Sequence, residues 1–243
     1  MSIERSQQLD PRADPHLDRQ ADRKLDRQGV RLAVAFVGLS VIWGLAFNLT
    51  GLPFFPVVVA GGVVTGLTGF WVRRANDEPE PSFALTWPVA GLAVVVALVH
   101  FAVGHLLFGL ASRVLSAFTE TALEVYQRTG ALPVWGQLLL GGVLTAGLEE
   151  VFWRGAFTTM VADRVRPHLP DGLGRKRQGF ALVVVSTAGY ALFHVATLKL
   201  ALIAAAALGG LVWGSLLLVT RSVGATIIAH VLWTCLMILF PPT

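Results

Sequence analysis

Seven stretches of the chain, at about 31–51, 54–72, 88–112, 134–161, 179–195, 197–219 and 222–240, are apolar along nearly their whole length. Backbone in hydrocarbon must satisfy its own polar groups, which leaves only helices and closed barrels. Barrel strands would be short and would alternate apolar with polar residues, whereas these blocks approach or exceed the roughly 20 residues of a crossing helix. The expected fold is therefore all-α and polytopic, with about seven transmembrane helices. The fifth block is the shortest and can stop within the membrane, so six to eight crossings stay open. Only 14% of the residues are charged, against about a quarter in soluble domains, which excludes a soluble or secreted fold. A single cysteine, Cys235, excludes an intrachain disulfide framework and a four-thiolate metal site.

Residues 1–30 form the one strongly polar stretch. Asp10, Asp14, Asp18, Asp22 and Asp26 recur every fourth position with Arg19, Arg23 and Arg27 one residue later, and Pro11 and Pro15 interrupt them. No apolar face accompanies these charges, so the stretch reads as a solvated, partly helical or disordered tail ahead of a single transmembrane domain at 31–240. Thirty mixed-charge residues ahead of the first apolar block do not resemble a cleavable signal, and that block is expected to stay in place. Between the third and fourth blocks, Arg113–Leu132 carries Val114, Leu115, Phe118, Ala122, Val125 and Tyr126 at helical spacing. It reads as an interfacial amphipathic helix.

The net charge of +4 does not indicate nucleic acid, because the basic residues lie between apolar blocks, where they set topology. With the N-terminus inside, fifteen Lys and Arg fall in inner segments and three, Arg113, Arg128 and Lys199, in outer ones. The expected orientation has a cytoplasmic N-terminus in a prokaryotic cell membrane.

Among fifteen acidic residues only Glu149 and Glu150 lie well inside an apolar block, and Arg154 is the only Lys or Arg that does. Such groups cost about 2.5–3.5 kcal/mol each at mid-bilayer, so they face protein or a watery cavity and mark function by default. At 100° per residue Glu150 and Arg154 share a face one turn apart and can pair, whereas Glu149 points about 100° away and stays freer. Four histidines also fall within the blocks. His100 and His105 have no neighbour at ligand or catalytic spacing and read as helix-packing donors. With 1.5 Å of rise per residue, Glu149, His194 and His230 lie roughly 18, 23 and 12 Å from the inner ends of their spans, which tilt can bring level. One carboxylate and two imidazoles in a closed cavity are the parts of a hydrolytic site. Glu149 and His230 lie nearer the inner ends, so the site is expected to open toward the cytoplasm. Cys235 has no basic neighbour on its own face, and no serine sits in a nucleophile elbow.

Three motifs now stand in order: Glu149-Glu150-Val-Phe-Trp-Arg154 as EExxxR, Tyr190-Ala-Leu-Phe-His194 as [FY]xxxH, and a third led by His230 after a glycine-rich helix with Gly209, Gly210 and Gly214. Over about 133–240 the chain resembles the CPBP family, the CaaX prenyl endopeptidases and the bacteriocin-processing or Abi-type intramembrane proteases. The resemblance implies a catalytic core in that region, with Glu149 as the base that activates water, helped by His194, and with His230 and Thr234 stabilising the oxyanion. It implies that Glu150 and Arg154 hold the site, with contact of Arg154 with the substrate as the alternative, and that Tyr190 orients His194. The family usually has Asn four residues after the last histidine, where this chain has Thr234.

On this reading the chain is an endopeptidase acting on membrane-associated protein or peptide substrates, prenylated ones included, without a cofactor. Zinc on Glu149, His194 and His230 is the second mechanism. A catalytically silent relative, acting as a bacteriocin-immunity or scaffold protein, and a proton-coupled transporter are the other classes; the halves show no repeated hydropathy pattern, which disfavours the transporter. With Cys235 replaced, single cysteines at position 172 and at the N-terminus are expected to react with an impermeant thiol reagent from one side of sealed vesicles, and a cysteine at position 130 from the other.

Overall fold

The computed structural model describes residues 15–49, 51–75, 82–170 and 172–242, and every element among them is helical. The chain is an all-α polytopic membrane protein. Helix α1 spans Pro15–Asn48, α2 Phe54–Ala75, α3 Trp87–Ser112 and α4 Ser116–Thr129. After a bend of 106°, α5 runs over Val134–His168. Then come α6 (Arg175–Val195), α7 (Leu200–Thr220) and α8 (Val223–Leu239).

Among the described residues five helices are long and apolar enough to cross a membrane, six if the bent α4–α5 pair counts as one span; α8 is apolar but has 17 residues. The expected short fifth block is part of α6, which at 21 residues is long enough to cross. The polar stretch, read as partly helical or disordered, is helical over 15–30 as the first part of α1. Pro15 is its first residue, a position where the missing N–H costs nothing. Residues 1–14 lie outside the described residues.

Along α1, Val30, Val34, Val37, Val41 and Leu45 are exposed while Leu32, Ala35, Leu39, Trp43, Ala46 and Phe47 are buried. Both stripes are apolar, as a helix between lipid and protein requires. Lipid removes the hydrophobic drive for helices to associate, so close packing of small residues takes over. Helix α5 lies between α2 and α8, and α2 turns Gly62, Gly66 and Gly69 toward it. A Cβ on Gly69 would stand 3.0 Å from Phe152 Cα and Val151 O, both backbone atoms. Helices α6 and α7 meet in the same way, with Gly210 against Thr187 and Gly214 against Val183.

Helix α5 is not the uniform α-helix that its apolar pattern predicts. π turns at Leu138–Thr145 and Trp153–Phe157 flank the α-helical segment Ala146–Phe152. Thr145 and Thr158 donate to carbonyls five residues back, Leu140 O and Trp153 O, at 2.7 Å each. Arg73, read above as a topology-setting loop charge, is buried and donates to Gly155 O in the second π turn. Carbonyls loosened by the wider turn thereby regain donors, as buried backbone requires.

Helix α4 begins at Ser116, so Val114 and Leu115, expected on its apolar face, sit in the break before it and are exposed. Its rim is tied by polar bonds: Tyr126 Oη donates to Met237 O (3.2 Å), Arg128 to Phe47 O (2.6 Å) and Leu49 O (2.8 Å), and Lys199 Nζ to Glu124 Oε1 (2.6 Å). Gly69→Ala is expected to lower stability by about 1–3 kcal/mol through overpacking of the α2–α5 contact. Gly91→Ala, at a position with open space around it, is expected to leave stability unchanged or raised. Thermal unfolding in detergent distinguishes the two.

Candidate active site

The segment Ala146–Phe152 carries the two adjacent carboxylates, both buried, and the helical register sends them to different partners. Glu150 Oε1 accepts from Arg154 Nη1 at 2.9 Å, the same-face pair, and from His230 Nδ1 of α8 at 2.8 Å. One oxygen atom thus ties two helices together by charge-assisted bonds. Glu149 is less free than its register alone suggests, because its Oε2 accepts from Tyr190 Oη at 2.9 Å. Its Oε1 remains for another partner.

Tyr190 and His194 sit one turn apart on α6, and His194 Nδ1 lies 2.9 Å from Tyr190 O. A carbonyl only accepts, so Nδ1 carries the hydrogen and Nε2 of a neutral imidazole presents its lone pair. Tyr190 thus holds His194 by its backbone, while its hydroxyl serves Glu149. His194 is in the last turn of α6, fastened from beyond by Thr197 Oγ1, which donates to His194 O at 2.7 Å. Leu198 follows with φ 55°, a left-handed conformation that costs a leucine energy and that the surrounding bonds must hold.

Helix α8 presents His230 and, one turn on, Thr234. Ser222 caps the helix by accepting from Ala225 N and donating to Ala84 O at 2.6 Å, which fixes the start of α8 against the segment before α3. The Thr234 hydroxyl is buried with no partner among the described residues, so it does not bond back to the carbonyl of His230. Trp213 of α7 stacks on His230 with centroids 3.7 Å apart and planes at 23°. The Arg154 guanidinium lies over the rings of Tyr190 (4.7 Å) and Trp213 (5.1 Å).

Glu149, Tyr190, His194, His230 and Thr234 all line one cavity of about 330 Å³. Its remaining wall is mostly apolar, with Trp43, Phe47, Phe54 and Phe55 on one side and Phe118, Val125 and Tyr126 of α4 on another. These residues lie where α1, α3, α6 and α8 end and where α2, α5 and α7 begin. The cavity therefore occupies the half of the bundle opposite the N-terminal end of α1. The expectation that the site opens toward the N-terminal side is corrected: distance to the ends of the apolar blocks says nothing about which way side chains project.

The remaining candidates separate clearly. His105 lies between Phe101 O (3.1 Å) and Phe240 O (2.9 Å), a helix-packing contact. His100 packs otherwise than expected, stacked on Trp233 at 4.8 Å with no polar partner among the described residues. Cys235 is a free thiol against Gly142, away from any base. Among the described residues no three His, Cys, Asp or Glu side chains are grouped so as to hold a metal ion, Glu149, His194 and His230 included. Trp213 escaped the motif reading; the signal for it was an aromatic residue one turn after Gly209 in the glycine-rich helix.

Residues 131–236 match the family of Rce1-like type II CAAX prenyl endopeptidases. This stretch holds both glutamates, Arg154, Tyr190, His194, Trp213, His230 and Thr234, and the match agrees with the resemblance of the motifs to the CPBP, or CaaX protease, family. No curated protein and no solved structure matches the chain.

Removing the two carboxylates is expected to have unequal effects on folding. Glu150→Ala leaves Arg154 and His230 buried without their shared acceptor and should cost about 3–5 kcal/mol. Glu149→Gln keeps the shape and an acceptor for Tyr190, so its unfolding temperature in detergent should stay close to that of the unmodified protein.

Proposed function

We propose that the chain is an intramembrane endopeptidase in which Glu149 activates a water molecule to hydrolyse peptide bonds of membrane-associated substrates, prenylated ones included. The observation that carries this reading is the convergence of Glu149, His194, His230 and Thr234 on one largely apolar cavity. Water held between Glu149 Oε1 and His194 Nε2 gives its proton to the carboxylate, and its oxygen attacks the scissile carbonyl carbon. Negative charge builds on the carbonyl oxygen, which receives hydrogen bonds from His230 Nε2 and Thr234 Oγ1. Collapse of the tetrahedral intermediate expels the amine, which takes the proton from Glu149.

The roles follow the hydrogen bonds. His230 commits its Nδ1 hydrogen to Glu150, so donation from Nε2 uses the imidazolium, whose charge faces the Glu150 carboxylate. Thr234, with no partner among the described residues, keeps its hydrogen for the oxyanion. Glu150 and Arg154 hold the site. With the N-terminus cytoplasmic, the cavity occupies the outer half of the membrane.

The test is cleavage of a peptide library by the full chain in liposomes, beside Glu149→Gln. Cleavage by the unmodified protein and none by the variant is expected; equal products from both would overturn the assignment of Glu149, and no products from either would favour a silent relative. Thr234→Val removes only the hydroxyl and is expected to lower kcat about a hundredfold to a thousandfold with KM little changed. Thr234→Asn should keep or raise kcat, and His230→Ala should be worse than either. Steady-state kinetics on any cleaved peptide reads all three.

A further inference from the structure

The bond from His230 Nδ1 to Glu150 fixes the imidazole at one atom, and by itself it leaves the ring free to rock about that bond. Trp213 lies across the ring face, with centroids 3.7 Å apart and planes at 23°. The Arg154 guanidinium, the other donor to Glu150, lies 5.1 Å from the same indole. One side chain thus bears on both partners of the buried carboxylate, and an aromatic face attracts cations. Trp213 is itself closely confined. It is buried, with His100 edge-on at 5.4 Å and Trp233 at 5.7 Å. Its far edge lies over Gly209, where a Cβ would stand 2.6 Å from Cη2 and Cζ3. Any larger residue at 209 would displace the indole.

We propose that Trp213 is a positioning residue for His230 and that Gly209 is the seat that lets it act: the stacked indole fixes the tilt of the imidazole so that Nε2 points into the cavity beside Thr234. The proposal rests on the endopeptidase reading for its kinetic consequence and on the stack alone for its structural one. Neither residue belongs to the three motifs.

The test uses the full chain in detergent micelles with isotope-labelled histidine, the His230 ring signals being identified by their loss in His230→Gln. Stacking under an indole shifts those signals upfield, and Trp213→Leu should return them toward the values of an unstacked ring. Gly209→Ala should move them as well, with Trp213 still present. In kinetics, Trp213→Leu is expected to lower kcat about a hundredfold, the scale of a small misplacement of a reacting group, with KM changed by no more than about twofold. Trp213→Phe keeps an aromatic face and should recover most of kcat. Gly209→Ala should lower kcat in the unmodified background and change it little beside Trp213→Leu, because the Cβ then has no indole to displace.

Full kcat in folded Trp213→Leu, an equal effect of Gly209→Ala in both backgrounds, or unshifted His230 signals in the unmodified protein would each overturn the proposal. Gly209→Ala and Trp213→Phe decide the matter if Trp213→Leu does not fold. If no peptide is cleaved while the upfield shift is present and lost on substitution, the stack stands and the endopeptidase reading fails.

Discussion

Glu150 Oε1 accepts from Arg154 within its own helix and from His230 across to α8, at 2.9 and 2.8 Å, and the arrangement of the site depends on that one atom. A buried carboxylate is tolerated only where its charge is met by well-placed donors. Here those donors are a guanidinium one turn away and an imidazole eighty residues on, so forming the pair also docks α8 against α5. The adjacent Glu149 is spared this task and is held instead by one neutral hydroxyl, that of Tyr190. Two carboxylates side by side in the chain thus differ in what they can do, because one is committed through Oε1 to Arg154 and His230 and the other lines the cavity.

Around this pair the helices are shaped to let the charges meet. The short segment Ala146–Phe152 is bracketed by π turns, each of which widens the helix and turns the residues after it. The carbonyls so loosened are answered by Thr145, Thr158 and Arg73. Gly62, Gly66 and Gly69 let α2 lie against the back of the same segment, so that side is closely packed. Edge-to-face contacts of Trp153 with Phe152, Phe157, Tyr190 and Phe193 extend that packing from α5 to α6.

Some of this was legible in the chain and some was not, for identifiable reasons. The helical class followed from the length of the apolar blocks, and the Glu150–Arg154 pair from a spacing of four on a single helix, where geometry is local. Tyr190 and His194 could be placed on one face of α6 by the same rule. Which part of Tyr190 holds the histidine could not, because backbone and hydroxyl compete for different partners only once α5 is beside it. A π turn has no signature of its own in apolar sequence, so the register of α5 after Leu138 was beyond reach. Arg73 looks like any loop arginine until the carbonyl of Gly155 appears next to it. Trp213 stood in plain view, but the pairing of Gly209 with the aromatic one turn later has meaning only when His230 occupies the other face of the indole.

The cavity is bounded by two kinds of polar contact with different energetics. On its α8 wall, His230 joins the buried Glu150–Arg154 pair behind it, and losing any partner strands a buried charge. At its rim, α4 is fastened by Arg128, Tyr126 and the Lys199–Glu124 pair, in which Glu124 is about half exposed. Lys199 is itself buried, so this pair is shielded on one side only and stands between a surface ion pair and a buried one. The cavity face of α4, with Phe118, Val125 and Tyr126, is mostly apolar. Loss of Lys199 leaves Glu124 where water can reach it, whereas loss of Arg154 leaves Glu150 wholly buried.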